Sequence, residues 1–210
     1  MPIDGGSQSG VCGLLLAGGQ ARRMGGGDKC LQMLGGQTLL ARLVATMRPQ
    51  VSALVLNANG DPARFSGHDL PVAADVVDGF AGPLAGVLTG LEWARDHAPG
   101  CDWVVSVACD APFAPSDLVT RLLAAVTDGK ANMACASSGG RDHPVFGLWP
   151  VALADDLRGA LVDEDIRKVD LWTARHRMAR AEWMTEPVDP FFNINRPADL
   201  TAAEALLPIE

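Results

Sequence analysis

The stretch LLLAGGQARRMGGGDK, Leu14 to Lys29, sets five glycines, two arginines and a lysine directly behind an apolar run. That run, Val11 to Leu16, is too short for a helix and is closed by glycine, the pattern of a strand buried on both faces. Glycines after such a strand let backbone N–H groups approach a phosphate or a base edge, because no side chain intervenes. Arg22, Arg23 and Lys29 supply the charge that a polyphosphate calls for. The loop matches neither of two common phosphate-binding patterns. It lacks GxGxxG, and its lysine follows an aspartate instead of sitting in GK[ST]. A basic solvated turn is the alternative reading of the same residues.

Outward from this strand, strand and helix patterns alternate. Thr38 to Met47 places Leu39, Leu40, Leu43, Val44 and Met47 at helical spacing, with Thr38 as N-cap. ALVLN, Ala53 to Asn57, and LPVAAD, Leu70 to Asp75, read as strands. GPLAGVLTGLEWA opens a helix at Pro83 with Leu84, Val87, Leu88 and Leu91 on one face. WVVSVAC, Trp103 to Cys109, is a strand that stops at Asp110, and Ser116 to Val126 is a helix. This alternation predicts a mostly parallel, three-layer α/β sheet. Further on, NMACASS and HPVFGLW are strand-like, Val151 to Leu161 and Ile166 to Arg175 helical, Arg180 to Met184 a late strand, and Pro197 to Leu206 a closing helix. No internal repeat or linker interrupts the pattern, so 11–210 is expected to form a single domain, with the polar, glycine-rich residues 1–10 fraying.

The chain has 210 residues, 48% hydrophobic and 20% charged, which places it among globular proteins. Its net charge of −8 disfavours nucleic acid or an anionic membrane as a main partner. Residues 1–50 nevertheless carry +3 against −11 for the remainder, so an anionic ligand is expected at the opening loop. No apolar run approaches the roughly 20 residues that span a bilayer, and the first residues lack a signal-peptide pattern, so a cytoplasmic location is expected. Five cysteines without a CxxC pair read as reduced, mostly buried thiols, and four histidines without metal-ligand spacing make zinc improbable. There is no GxSxG, so no serine nucleophile is marked.

In open parallel sheets, ligands collect at the carboxyl ends of strands. Three features fall at such ends: the glycine-rich loop, Asn57 and Asp110. Asp110, in VACDAPF, suits a hard cation such as Mg²⁺, which prefers oxygen ligands and keeps waters and phosphates as its others; a turn cap is the plainer reading. Asp75 and Asp78 could touch a ribose or a base, or cap a turn. Asn57 and Asn59 are amides able to read a base edge, and are equally common in turns. In GRDHP, Arg141 and His143 could meet an anionic acceptor or sit on an exposed hairpin. NINRP, Asn193 to Pro197, is read as ending a strand, or as the N-cap region of the last helix. From the residues alone, the chain reads as a nucleotide-binding α/β enzyme that handles polyphosphate with a metal.

Leu16 to Lys29 also resembles the signature loop of the molybdenum cofactor guanylyltransferases, the MobA family. VLNAN at Val55 to Asn59, Asp75 followed by GPLAG, CDAPF at Cys109 to Phe113, RDHP at Arg141 to Pro144, and NINRP agree in order, so the resemblance spans Val11 to Leu206. It implies a Rossmann-like α/β/α nucleotidyltransferase that joins GMP from Mg²⁺-bound GTP to the phosphate of molybdopterin-bound molybdenum. It further implies GTP contacts from Leu16, Ala17, Gly18, Lys29, Asn57 and Asp75, and a Mg²⁺ ligand at Asp110. Arg22, Lys29 and Asp110 would serve catalysis, with Arg141, Asn193 and Asn195 as phosphate or acceptor contacts. Transient contact with molybdoenzymes or other cofactor-biosynthesis proteins is implied as well. Two rivals are a cytidylyltransferase acting on the same pterin, whose first loop is usually LAAG, and a non-catalytic carrier of pterin or nucleotide.

Overall fold

The first strand, β1 (Gln8–Leu16), pairs in parallel on both of its edges and forms the spine of a seven-stranded sheet. The computed structural model describes residues 8–18, 28–79 and 82–207. β1 starts earlier than its apolar run, at Gln8, which pairs with Val51 across a register break before Cys12. A 3₁₀ turn (Lys29–Leu31) and a small hairpin, β2 (Met33–Leu34) with β3 (Gln37–Thr38), lead into α1 (Leu39–Met47). Thr38 caps α1 as its chemistry predicts, its hydroxyl accepting from Ala41 N at 3.0 Å.

The chain then forms β4 (Val51–Asn57), β5 (Val72–Ala73), α2 (Pro83–His97), β6 (Trp103–Ala108), α3 (Leu118–Gly129), β7 (Met133–Ser138) and β8 (Arg141–Pro150). α4 (Ala154–Val162), α5 (Val169–Thr173), β9 (Met178–Trp183) and α6 (Pro197–Ala205) complete it. The strand order is β5-β4-β1-β6-β8-β7-β9, with β8 alone antiparallel to its neighbours. From β1 the chain moves outward through β4 and β5, then crosses back to β6 on the other side. The switch point therefore lies between β1 and β6, where such sheets open a crevice.

Alternation along β1 explains the layers. Val11 and Leu15 join the α1 and α3 residues Leu40, Leu43, Leu118 and Leu122 in one core. Cys12 and Leu14 face the other way, into a core with Leu84, Leu88 and Leu91 of α2 and Leu157 and Leu161 of α4. A third, smaller cluster of Leu34, Leu39, Ile194 and Ala203 ties the hairpin and α1 to α6. All five cysteines are free and four are buried. Among the described residues no helix is long and apolar enough to cross a membrane.

Three sequence expectations need correction. LPVAAD yields only a two-residue strand, because β5 is an edge strand whose pairing stops at Leu56 with Val72 and Asn57 with Ala73. Ile166 to Arg175 shrinks to α5, whereas Val151 to Leu161 is helical throughout, a 3₁₀ turn (Val151–Leu153) running into α4. NINRP does not end a strand: the Ile194 N–H donates to Asp110 O at 2.8 Å, so the donor that a ladder would use is spent across the site.

α2 approaches β1 closely because Gly90 faces Leu14; a Cβ there would lie 2.5 Å from Leu14 Cδ2 and 2.9 Å from Cδ1. Leu14 is fully buried and cannot retreat. Gly90→Val is expected to cost about 1–3 kcal/mol by overpacking, read as a lower urea midpoint at unchanged slope. An unchanged midpoint would refute this close contact.

Candidate active site

The register of β1 levels three strand ends. Leu16 stands opposite Asn57 on one side and Ala108 on the other, so the chain leaves all three strands along one edge. The ladder continues past them, with Ala17 N donating to Asn57 O at 3.0 Å and Cys109 N to Leu16 O at 3.1 Å. Two cavities open there and share Leu16 as a wall.

The larger, about 620 Å³, is lined by Gly18, Asn57, Asn59, Asp75 and Gly86, among others. Its acidic wall is held by amides. Asn57 Nδ2 donates to Asp75 Oδ1 at 2.9 Å and to Ala73 O at 3.2 Å. Asn59 Nδ2 donates to Asp75 Oδ2 at 2.8 Å, and its Oδ1 accepts from Asp75 N at 2.8 Å. Each carboxylate oxygen thus takes one amide hydrogen bond and keeps a lone pair for a ligand. Both Nδ2 bonds of Asn57 are internal, so its amide orients Asp75. The first turn of α2 forms another wall without bulk, since Gly82, Pro83 and Gly86 line it.

The smaller cavity, about 70 Å³, is lined by Ala17, Lys29, Cys30, Cys109 and Asp110. Lys29 Nζ lies 2.5 Å from Asp110 Oδ2 and 2.7 Å from Asn195 Oδ1. Lys29 is 11% exposed and Asp110 25%, so the pair sits at a mouth and not in a sealed core. Burial pushes the Cys30 thiol up to about 11 and the Cys109 thiol well above the ordinary range, so neither is a thiolate at neutral pH.

Most of the expected site is therefore brought together: Leu16, Gly18, Asn57 and Asp75 in one cavity, and Ala17, Lys29 and Asp110 in the other. Arg22 lies outside the described residues. Asn195 joins the site through Lys29. Asn193 is exposed, and Arg141 is exposed at the start of β8 and lines neither cavity. His143 turns inward, its Nε2 2.8 Å from Ser138 Oγ and its ring against Phe191, and burial lowers its pKa. Val145 enters the larger cavity from a bulge in β8, a placement that no sequence pattern announces.

Residues 13–178 match the family model of the MobA-like NTP transferase domain. A protein of Rhodopseudomonas palustris (strain HaA2) named molybdenum cofactor guanylyltransferase is 58% identical over 92% of this chain and 90% of its own length. One of the same name from Bradyrhizobium sp. (strain ORS 278) is 56% identical over 95% and 94%. Molybdopterin-guanine dinucleotide biosynthesis protein A from Archaeoglobus fulgidus superposes with a TM-score of 0.73 at 21% identity, covering 93% of this chain and 97% of that one, a likeness of fold.

Gly86 tests the larger cavity. A Cβ at this position would fall 2.5 Å from Asn57 Oδ1 and 2.5 Å from Leu16 Cδ2. Gly86→Ala is expected to displace Asn57 from Asp75 and to weaken nucleoside triphosphate binding about tenfold, measured by calorimetry with GTP as the probe. Unaltered affinity would remove this wall from the binding site.

Proposed function

This chain belongs to the MobA-like NTP transferase family, and we propose that it transfers GMP from GTP to the phosphate of molybdopterin-bound molybdenum, releasing pyrophosphate. It is a nucleotidyltransferase, and its relatives at 56–58% identity carry the guanylyltransferase name. The observation that carries the reading is the Lys29–Asp110 pair, lining a cavity that shares Leu16 with one walled by an amide-held carboxylate. GTP occupies both cavities: its nucleoside lies against Gly18, Asn57 and Asp75 in the larger, and its phosphates lie toward Ala17, Lys29 and Asp110.

Asp75 supplies the base preference. Its carboxylate is an acceptor, fixed by Asn57 and Asn59, and guanine offers adjacent N1–H and N2–H donors that cytosine lacks. On the other side, a phosphate oxygen of the pterin attacks the α-phosphorus, the bond to the bridging oxygen breaks, and charge grows on the departing pyrophosphate. Lys29 donates hydrogen bonds to those oxygens, and Arg22 adds a second cation. No side-chain nucleophile takes part, in keeping with the protonated thiols of Cys30 and Cys109.

The residues present fit Mg²⁺. Asp110 Oδ1 takes no hydrogen bond from the described residues, and its carboxylate, a quarter exposed, lines the smaller cavity as a hard oxygen donor. Among the described residues there is no cluster of three or more His, Cys, Asp or Glu, and phosphate oxygens and water would complete the shell of an ion held by Asp110. When bound, the ion supplies charge neutralisation on the polyphosphate. The protein works in the cytoplasm on small-molecule substrates, with transient handover to other cofactor-biosynthesis proteins or molybdoenzymes.

Lys29→Ala and Asp110→Ala are each expected to stay folded and to lose on the order of 10²–10³ in turnover, measured as pyrophosphate release with GTP, Mg²⁺ and molybdopterin. Near wild-type turnover in either variant refutes its assigned role. The wild-type protein is expected to use GTP in clear preference to CTP, and Asp75→Ala to narrow that preference. A wild-type enzyme favouring CTP would overturn the guanylyl assignment.

A further inference from the structure

Arg64 sits on a short 3₁₀ helix (Pro62–His68) that no motif marks, and it lines neither cavity. Its guanidinium nevertheless donates in three directions. Nε reaches Asp61 O at 3.0 Å, Nη1 reaches Asp28 Oδ1 at 3.0 Å, and Nη2 reaches Asn59 O at 2.6 Å. Asp28 directly precedes Lys29, whose ammonium holds Asp110. Asn59 is the residue whose side chain grips Asp75 at both its amide and its carboxylate. A continuous chain of bonds thus runs from the lysine side of the site, through one guanidinium, to the carboxylate wall of the larger cavity.

We propose that Arg64 is a positioning residue that sets the spacing between Lys29 and Asp75, so that the two cavities fit one nucleoside triphosphate. This rests on the reading that GTP spans both cavities. The planar fork suits the task, because it meets a carboxylate and a carbonyl at fixed angles, whereas a lysine is a single flexible point charge. Without Arg64 the carboxylate of Asp28, only 18% exposed, loses its ion-pair partner beside Lys29 and competes for that ammonium. The guanidinium also bonds Asp61 O and lies 5.0 Å over the Phe65 ring, yet the 3₁₀ helix keeps two supports without it: Phe65 is buried, and Asp61 caps the helix by accepting from Ala63 N.

The test uses the full chain and compares wild type with Arg64→Lys, Arg64→Ala, Asp28→Ala and the Asp28→Ala/Arg64→Ala double variant. GTP affinity is measured by calorimetry, which needs no turnover, and KM and kcat by pyrophosphate release with Mg²⁺ and molybdopterin. Arg64→Lys and Arg64→Ala are expected to raise the GTP Kd and KM about tenfold, to keep kcat within about threefold, and to leave the KM for molybdopterin unchanged. The double variant should be no weaker than the weaker single one, because the bond between Arg64 and Asp28 is already lost in each single variant. A GTP Kd within about twofold of wild type for a folded Arg64→Lys overturns the proposal, as does a double variant whose loss is the product of the single losses. A fall confined to kcat, tracking a lower thermal midpoint, assigns Arg64 to stability alone and also overturns it. If wild type binds GTP yet releases no pyrophosphate, the guanylyltransferase reading fails while the Kd comparison still decides the role of Arg64.

Discussion

The parallel pairing of β1 with β4 and with β6 is the constraint on which the site depends. It brings Leu16 level with Asn57 and Ala108, so three chain segments leave the sheet at one height. Parallel strands pair with slanted bonds at a fixed register, and a strand buried on both faces cannot slip by one residue without inverting its apolar set. Val11 and Leu15 would leave one core, and Cys12 and Leu14 the other. The register is therefore secured by burial, and the site inherits that precision.

On this edge the protein separates two kinds of recognition. Around Asp75 it uses neutral amides, which aim a carboxylate without cancelling its charge. Around Asp110 it uses a cation, so the carboxylate is partly neutralised by Lys29. The first arrangement favours hydrogen-bond donors on a ligand, and the second favours a ligand that brings both negative charge and a counter-ion. Leu16, common to both cavities, is where the two meet. The C-terminal segment closes the arrangement from a distance: Ile194 is buried with Leu34, Leu39 and Ala203, its N–H holds Asp110 O, and Asn195 then meets Lys29. The cap of α6 stiffens this segment, since Asp199 Oδ2 accepts from both Asn195 N and Arg196 N.

Much of this was legible from residue order. Apolar runs such as WVVSVAC and LLL mark strands covered on both faces, and the spacing of Leu84, Val87, Leu88 and Leu91 marks a helix, because burial imposes those periods directly. The strand-end positions of Gly18, Asn57 and Asp110 follow from the same runs. Boundaries were less legible where neighbours decide them. β5 is short because it is an edge, and NINRP is irregular because its backbone donor serves Asp110. Arg64 left no mark at all, since a single arginine in a turn looks like any solvated cation.

By itself the sequence determined the fold class and the chemistry of the edge. Alternating apolar periods dictate a mostly parallel α/β sheet, and the residues that follow its strands carry charges and amides of the kind that suit phosphate and base. Only the tertiary structure decided how those groups divide the work. It joined Lys29 to Asn195 across 166 positions, turned Asn57 and Asn59 onto Asp75, and ran Arg64 between Asp28 and Asn59. The physical reason is that periodicity is a property of one segment against a core. A hydrogen bond between distant segments depends on where the whole sheet sets their ends.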